Sequence, residues 1–411
     1  MAAQGPLAGV KVVELAHIMA GPVCGLMLAD LGADVIKVEK IPGGDDTRRM
    51  VPPKIGDEAA AFMMMNRNKR GIAVDLKTPE GVEILHKLLR GADVLIENHR
   101  RGTMDRLGLG YEALARENPG LVYCSVSGFG RTGPYADRGG FDLIAQGMSG
   151  LMSITGEGPG RPPVKVGAPV TDITAGILAA MGVLAAYTNR LKTGRGQMVD
   201  TSLFEAGIVH TYWQSAICLA TGISPGAMGS AHPLNAPYQA HPTADGWINV
   251  GAANQKNWEK FCDDVIAAPE LKADPRFKDN AARMANIAAL AAILDEKFRT
   301  RTTAEWMTAL ERAGVPAGPV LSIAEMHADP QAVARDMVPT VTHSSVGDVK
   351  TIGIPVKFSG TPASVRRGAP LLGEHTREVL QSLGYSASDI DRLIDSGAVA
   401  TPDHARATAA R

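Results

Sequence analysis

At 411 residues the chain exceeds what one ordinary hydrophobic core organises, so two domains are expected. Hydrophobic residues at 45%, charged residues at 21% and a formal net charge of -1 fit a soluble globular protein, with no global field for nucleic acid or a membrane surface. Aromatics at 5% beside 45 glycines suit an α/β enzyme with close helix–sheet contacts.

Residues 10–15, VKVVEL, form a β-branched run that reads as a buried strand. Ala20 to Leu31 reads as a helix and residues 33–39, ADVIKVE, as a second strand, which makes a βαβ unit. The pattern repeats. A short strand ends at Val74, Thr78 and Pro79 signal a helix start, and Val82, Leu85, Leu88 and Leu89 follow helical spacing. Strands follow at 94–97 and 121–126, the rhythm of a parallel sheet with helices on both faces. From Asp172 to Tyr187 the chain is nearly all small and aliphatic, which predicts a buried helix ending at the glycine turn 192–196. A strand at 199–202 and a long helix over 204–221 come next.

The texture changes near Gly222. Residues 223–237 are rich in Gly, Pro, Ser and Asn and read as a linker or active-site loop. A strand pair around Gly246 and helices at 255–266, 283–299 and 303–313 suggest a smaller second domain. Residues 330–400 return to strands and a last helix at 375–383. The expected division is 1–222 for a large domain, 223–325 for a small one, 326–400 returning to the large one, and a disordered tail at 401–411.

The start, MAAQGPLAGVKVVEL, lacks the basic and apolar regions of a signal peptide. No uninterrupted apolar run of about 18 residues exists, so no membrane span is expected. Cys24, Cys124, Cys218 and Cys262 are widely spaced, form no C-x-x-C pair and lie in apolar runs. They read as buried thiols of a reducing compartment, and the expected location is cytoplasmic.

Several patterns invite a chemical reading. The turn from His17 to Gly25 after the first strand, with Glu39 about 20 residues on, mimics a dinucleotide fingerprint but lacks G-x-G-x-x-G. The helix start at Ala20–Gly21 can still hold a phosphate or a thioester oxygen through free N–H groups. Lys37, Lys40, Arg48, Arg49, Arg67, Lys69, Arg70, Lys77, Arg100, Arg101 and Arg106 cluster in the first third, many just after strands, where an open α/β sheet places its ligand crevice. Each alone reads as surface charge, while the group permits a polyphosphate ligand. Asp172 precedes an apolar helix, so its spacing alone favours an N-cap. The alternative is a carboxylate nucleophile beside an apolar wall. No H-E-x-x-H, C-x-x-C or G-x-S-x-G is present, and no metal site is expected.

Together these segments resemble the family III CoA-transferases, the group that includes formyl-CoA transferase and crotonobetainyl-carnitine CoA-transferase. The resemblance is carried by LAGVKVVEL at 7–15, AGP at 20–22, LGADVIKVE at 31–39, GDDTR at 44–48, NRNKR at 66–70 and VDLKTPEG at 74–81. It continues with ADVLIEN at 92–98, YCSVSGFG at 123–130, GGFD at 139–142, KTGRGQ at 192–197 and PLLGEHT at 370–376.

The resemblance implies an α/β fold with a Rossmann-like large domain built from both chain ends, a smaller α+β domain, and an interlocked homodimer. It implies an enzyme that moves coenzyme A from an acyl-CoA donor to a carboxylic acid, with CoA as substrate and no permanently bound cofactor. Asp172 stands at the family's nucleophile position, which implies aspartyl anhydride and aspartyl-CoA thioester intermediates. Implied CoA contacts are His17, Ile18, Met19, Ala20, Lys40, Val74, Asp75, Lys77, Asn98, His99, Arg100, Arg106 and Arg138, with Lys77 and Arg106 on phosphates.

Lys40 replaces the Arg of formyl-CoA transferase, Met19 replaces a Gln of its acyl pocket, and its tetraglycine loop is absent. These departures point away from a formyl/oxalate specificity. The stretches 229–233 and 237–239 look more like transferases for dicarboxylic acids such as succinate. Two alternatives stand beside the transferase. An α-methylacyl-CoA racemase would need a histidine in G-H-D, where this chain has Gly140-Phe141-Asp142. A non-catalytic acyl-CoA-binding protein would need no nucleophile.

Overall fold

The computed structural model describes residues 5–404, so most of the tail expected to be disordered lies outside the described residues. The chain divides into two compact units. The first is formed by the described residues of Met1–Ser149, Val166–His210 and Pro330–Arg411, and the second by Gly150–Lys165 and Thr211–Asp329. Against the expected division at 222 and 325, the units change at His210 and Asp329, and residues 150–165, expected in the large domain, fall in the second unit.

The first unit is organised by β1 (Lys11–Leu15), β2 (Asp34–Lys40), β3 (Arg70–Val74), β4 (Val94–Glu97), β5 (Val122–Ser127) and β6 (Met198–Ser202). With the short strand Val399–Ala400 they form a seven-stranded sheet, ordered Val399–Ala400, β3, β2, β1, β4, β5, β6. All neighbours are parallel except Val399–Ala400, which runs antiparallel to β3. The strand order reverses its direction of growth between β1 and β4, the point where open α/β sheets leave a crevice at their carboxyl ends.

The strands expected at 10–15, 33–39, 94–97, 121–126 and 199–202 are all present within a residue or two. Both sheet faces are covered, which is why these strands read as continuous apolar runs. On one face α1 (Ala20–Asp30) and a long helix at Val170–Thr193 bury Cys24, Leu28, Ala175 and Ala179 against Val12, Val94 and Cys124. On the other, α2 (Pro79–Arg90) buries Ile84, Leu85, Leu88 and Leu89 with Val379 and Ile390 from the C-terminal part of the chain. The Thr78 hydroxyl caps α2 by accepting the Gly81 N–H, as its spacing predicts.

Helix readings are corrected at several places, and the helix expected to be the last, Thr376–Ser382, is followed by one more at Ala387–Asp395. The helix expected over 204–221 is broken: α5 (Leu203–Ile208) gives way to a turn at Val209–Thr211 and then to α6 (Tyr212–Thr221), and the unit boundary falls in that turn. The small-residue helix, α4 (Val170–Thr193; α3 is Asp142–Met148), is not wholly buried. Its Ala175, Gly176, Ala179, Ala180, Val183 and Ala186 face the core, while Met181 and Leu191 on the other side are 61% and 70% exposed. Small residues recur at helical spacing on one stripe only, so one stripe packs closely. By length and composition α4 could cross a membrane, but its small-residue stripe is packed into the first unit's core.

The second unit carries a three-stranded antiparallel sheet of β7 (Tyr238–Pro242), β8 (Trp247–Gly251) and β9 (Ala317–Pro319), with β8 central. Trp258, Phe261, Phe298 and Trp306 fill its core. Among its helices are Gln255–Lys260, Asn280–Ala285, Ile287–Phe298 and Thr303–Ala313: the third expected helix matches in full, the first continues as a π turn, and the one expected over 283–299 is broken at Asn286.

Candidate active site

At the carboxyl ends of β1, β2, β3 and β4 the first unit holds a cavity of about 650 Å³. Its walls include His17, Lys40, Asp45, Lys77 and His99. An open groove of about 640 Å³ shares Leu76, Lys77 and Leu107 with it and adds His86, Arg90 and Arg106. The His17 and His99 rings stand 5.5 Å apart. Burial lowers both pKa values, that of His99 to about 4, so both rings are neutral at pH 7. His99 Nε2 is buried without a hydrogen-bond partner among the described residues.

The turn after β1 is pinned by buried side chains. Lys37 Nζ donates to the Ala16 carbonyl at 2.9 Å, and Asn98 accepts the His17 N–H at 2.9 Å while donating to the His17 carbonyl at 2.8 Å. Asp45 accepts the Ile18 N–H at 3.0 Å. Lys37 in turn pairs with Glu14 and Asp45, each at 2.9 Å, and Lys69 pairs with Glu14 at 2.7 Å. Lys37, Glu14 and Lys69 are fully buried. Despite its own burial, Asp45 is held well below the usual carboxylate range by Lys37 and by backbone N–H donors.

Asp172 lies in the first turn of α4, not at its cap. Pro169 occupies the cap position and offers no side-chain bond. The Asp172 carboxylate is half-buried and makes no hydrogen bond or ion pair among the described residues. Burial, and then the charge of Asp142, push it up to about 6. One turn later Gly176 touches the start of α1: a Cβ there would fall 2.7 Å from the Ala20 carbonyl oxygen and from Val23. Residues one turn apart share a helix face, so Asp172 faces the same side of α4 as the approach to α1. Asp172 lines neither the cavity nor the groove; it is an unpaired, half-buried carboxylate at the start of α4, a group that can act as a nucleophile.

Of the residues the resemblance nominated, His17, Lys40, Asp75, Lys77 and His99 line the main cavity, and Arg106 lines the adjoining groove. Ile18, Met19 and Ala20 continue the His17 turn into α1. Asn98 serves the turn rather than the cavity. Val74 is buried in the sheet. Arg100 is exposed near Gly139, and Arg138 stacks on Tyr135 at 4.0 Å.

The basic group is corrected in part. Lys37 and Lys69 are paired with Glu14, Arg67 with Asp30 at 2.6 Å, and Arg48 with Glu39 at 2.7 Å, all buried or nearly so. These cations neutralise internal carboxylates. In the motifs LGADVIKVE, GDDTR and NRNKR these cations are therefore paired within the fold. Asp45 and Asp142 stand in the motifs GDDTR and GGFD, but their spacing carries no signal of the roles they play. The backbone N–H groups they hold at the site, those of Ile18 and Thr171, lie 27 and 29 positions away, beyond any local pattern.

Residues 7–376 match the family described as CoA-transferase family III. The chain is 41% identical over 384 residues to the succinate–glutarate CoA-transferase of Agrobacterium fabrum, covering 92% of this chain and 96% of that protein. It is 40% identical over 373 residues to the acetyl-CoA:oxalate CoA-transferase of Acetobacter aceti, covering 90% and 94%. A CaiB/BaiF family protein from Brucella suis, solved by crystallography, superposes with a TM-score of 0.82 at 42% identity, covering 92% of this chain and all of that one.

Proposed function

Since this chain belongs to CoA-transferase family III, we propose that Asp172 is the nucleophile through which it moves CoA between a thioester and a dicarboxylic acid. The observation that carries this reading is the unpaired, half-buried carboxylate in the first turn of α4, raised to a pKa of about 6. At neutral pH it is ionised, yet more basic than an ordinary aspartate and so a better nucleophile.

Each step forms one acyl bond and breaks one. An Asp172 oxygen attacks the donor thioester carbonyl, the C–S bond breaks, and CoA thiolate leaves behind an aspartyl anhydride. The thiolate attacks the Asp172 carbonyl, releasing the donor acid and forming an aspartyl-CoA thioester. The acceptor carboxylate attacks that thioester to give a second anhydride. The thiolate then attacks the acceptor's carbonyl, releasing the new acyl-CoA and restoring Asp172. Anhydride and thioester both hydrolyse, so the site must exclude water.

The main cavity and its adjoining groove suit the nucleotide end of CoA. Lys77 lies where the two meet and Arg106 in the groove, both exposed and able to pair with phosphates. Ile18, Met19, Ala20, Arg100 and Arg138 retain the CoA-contact roles implied by resemblance, whereas Asn98 bears on CoA through the His17 turn it holds and Val74 through the strand it buries. Two relatives named for dicarboxylates, glutarate and oxalate, support a dicarboxylic acceptor. Phe141, unlike the histidine of a racemase, cannot move a proton.

We further propose an interlocked homodimer working in the cytoplasm. Each unit exposes large apolar side chains that a partner copy would cover, among them Phe141 and Leu191 on the first and Tyr212 and Leu219 on the second.

The test is hydroxylamine trapping during turnover with succinyl-CoA, followed by peptide mass spectrometry. A hydroxamate on Asp172 is expected, and one on any other residue would overturn the assignment. A panel of acids with succinyl-CoA tests the acceptor: turnover with monocarboxylates and none with dicarboxylates would refute it.

A further inference from the structure

The first turn of α4 has no cap of its own. Pro169 lacks a side-chain acceptor, and the Asp172 carboxylate is not folded back onto the helix N–H groups. The cap comes from another helix. Asp142, the first residue of α3, accepts the Thr171 N–H at 3.0 Å and the Thr171 hydroxyl at 2.8 Å through the same oxygen. Its second oxygen accepts Gln146 Nε2 at 2.8 Å. Gln146 is fully buried, and its own Oε1 accepts the Val166 N–H at 2.8 Å. Both ends of the segment 166–171, which leads directly to Asp172, are thus stapled to α3.

Asp142 is itself held in place. Gly128 and Gly140 meet backbone to backbone, such that a Cβ at Gly140 would fall 2.6 Å from the Gly128 Cα. That contact fixes the loop entering α3 against the loop leaving β5.

We infer that Asp142 is a positioning residue for the transferase reaction: it caps α4 in place of Asp172 and so leaves the Asp172 carboxylate free and facing an uncompensated like charge. The inference rests on Asp172 being the nucleophile. A free N-terminal N–H would otherwise draw the nearest carboxylate, and Asp172 would become a cap with dulled nucleophilicity. With Thr171 already served, Asp172 has no such partner. Among the described residues, burial and then the charge of Asp142 raise the Asp172 pKa; Thr171 and Gln146, which hydrogen-bond to Asp142, are neutral.

The experiment compares wild type, Asp142→Asn and Thr171→Val by the pH dependence of kcat/KM, with KM for the acyl-CoA donor measured separately. Asp142→Asn keeps an oxygen for Thr171 but removes the charge. It is expected to move the acid limb down by about half a pH unit or more and to lower kcat about ten-fold, with donor KM unchanged. Thr171→Val keeps the charge and removes one staple. It is expected to lower kcat while leaving the acid limb in place, a split that loss of stability alone does not produce. A wild-type acid limb in folded Asp142→Asn overturns the inference, as does wild-type kcat in Thr171→Val should Asp142→Asn fail to fold. Hydroxylamine trapping on wild type keeps the two readings apart: a label on Asp172 with an unmoved limb defeats only the role of Asp142, whereas a label elsewhere defeats the nucleophile.

Discussion

Asp45 accepts the backbone N–H of Ile18 with both carboxylate oxygens, at 3.0 and 3.3 Å, and Ile18 sits at φ +67°. A β-branched residue rarely adopts this left-handed conformation, which costs on the order of 1–3 kcal/mol. The surrounding bonds hold it there, and the strained residue lies between the cavity wall and the start of α1. Asp45→Asn would keep an acceptor for Ile18 but remove a charge from buried Lys37. We predict a loss of about 2–3 kcal/mol in chemical denaturation and a several-fold rise in donor KM, because the turn loosens. An unchanged KM would show that the turn does not bear on the ligand.

Asp172→Asn should abolish turnover, by roughly three orders of magnitude or more in kcat, while calorimetric affinity for CoA stays within about two-fold. The same variant should be more stable at pH 7. Asp172 has a folded pKa of about 6, above the ordinary 3.8, so its ionised form opposes folding at neutral pH. That opposition is relieved as pH falls from about 6 towards 3.8. The stabilisation, about 1 kcal/mol at pH 7, should therefore shrink over that window. In the wild type kcat/KM should fall below about pH 6 as Asp172 takes up its proton.

His99 makes the opposite contribution. Its folded pKa of about 4 lies below the ordinary 6.5, so the folded state favours the neutral ring. This contribution is present in full above pH 6.5 and is lost as pH falls towards 4. His99→Asn should flatten the slope of stability against pH in that window by on the order of 2 kcal/mol, measured by denaturation at several pH values. An unchanged slope would assign the acid sensitivity to other groups.

The basic residues divide into two classes with separable effects. Lys77→Ala and Arg106→Ala should each raise donor KM about ten-fold, less so at high salt, with little change in melting temperature. Lys69→Met should do the reverse: it leaves one oxygen of buried Glu14 without its cation and should cost about 3 kcal/mol of stability with donor affinity kept. Lys69→Met weakening CoA binding at full stability would refute the division.

The two classes also mark what could be read from the chain. Residues 10–15, 33–39, 94–97 and 121–126 are short β-branched runs between turn residues, and the sheet buries both of their faces, so their periodicity alone identified them. The Thr78–Pro79 cap was equally legible, because its acceptor and donor lie three residues apart. The motif series pointed to the family and, through it, to Asp172. Burial was not legible for the cations: Lys37 and Lys40 stand three positions apart on one strand, yet one is fully buried against Glu14 and the other is exposed beside Asp46. The pleat and the helices packed on it decide which side chain meets water. Nor could spacing tell that Asp142 rather than Asp172 caps α4. The sequence by itself determined the strands and the family, and through the resemblance it nominated Asp172. Only the tertiary structure decided which charges are free to act, because ionisation and pairing depend on neighbours that the fold brings from tens of residues away.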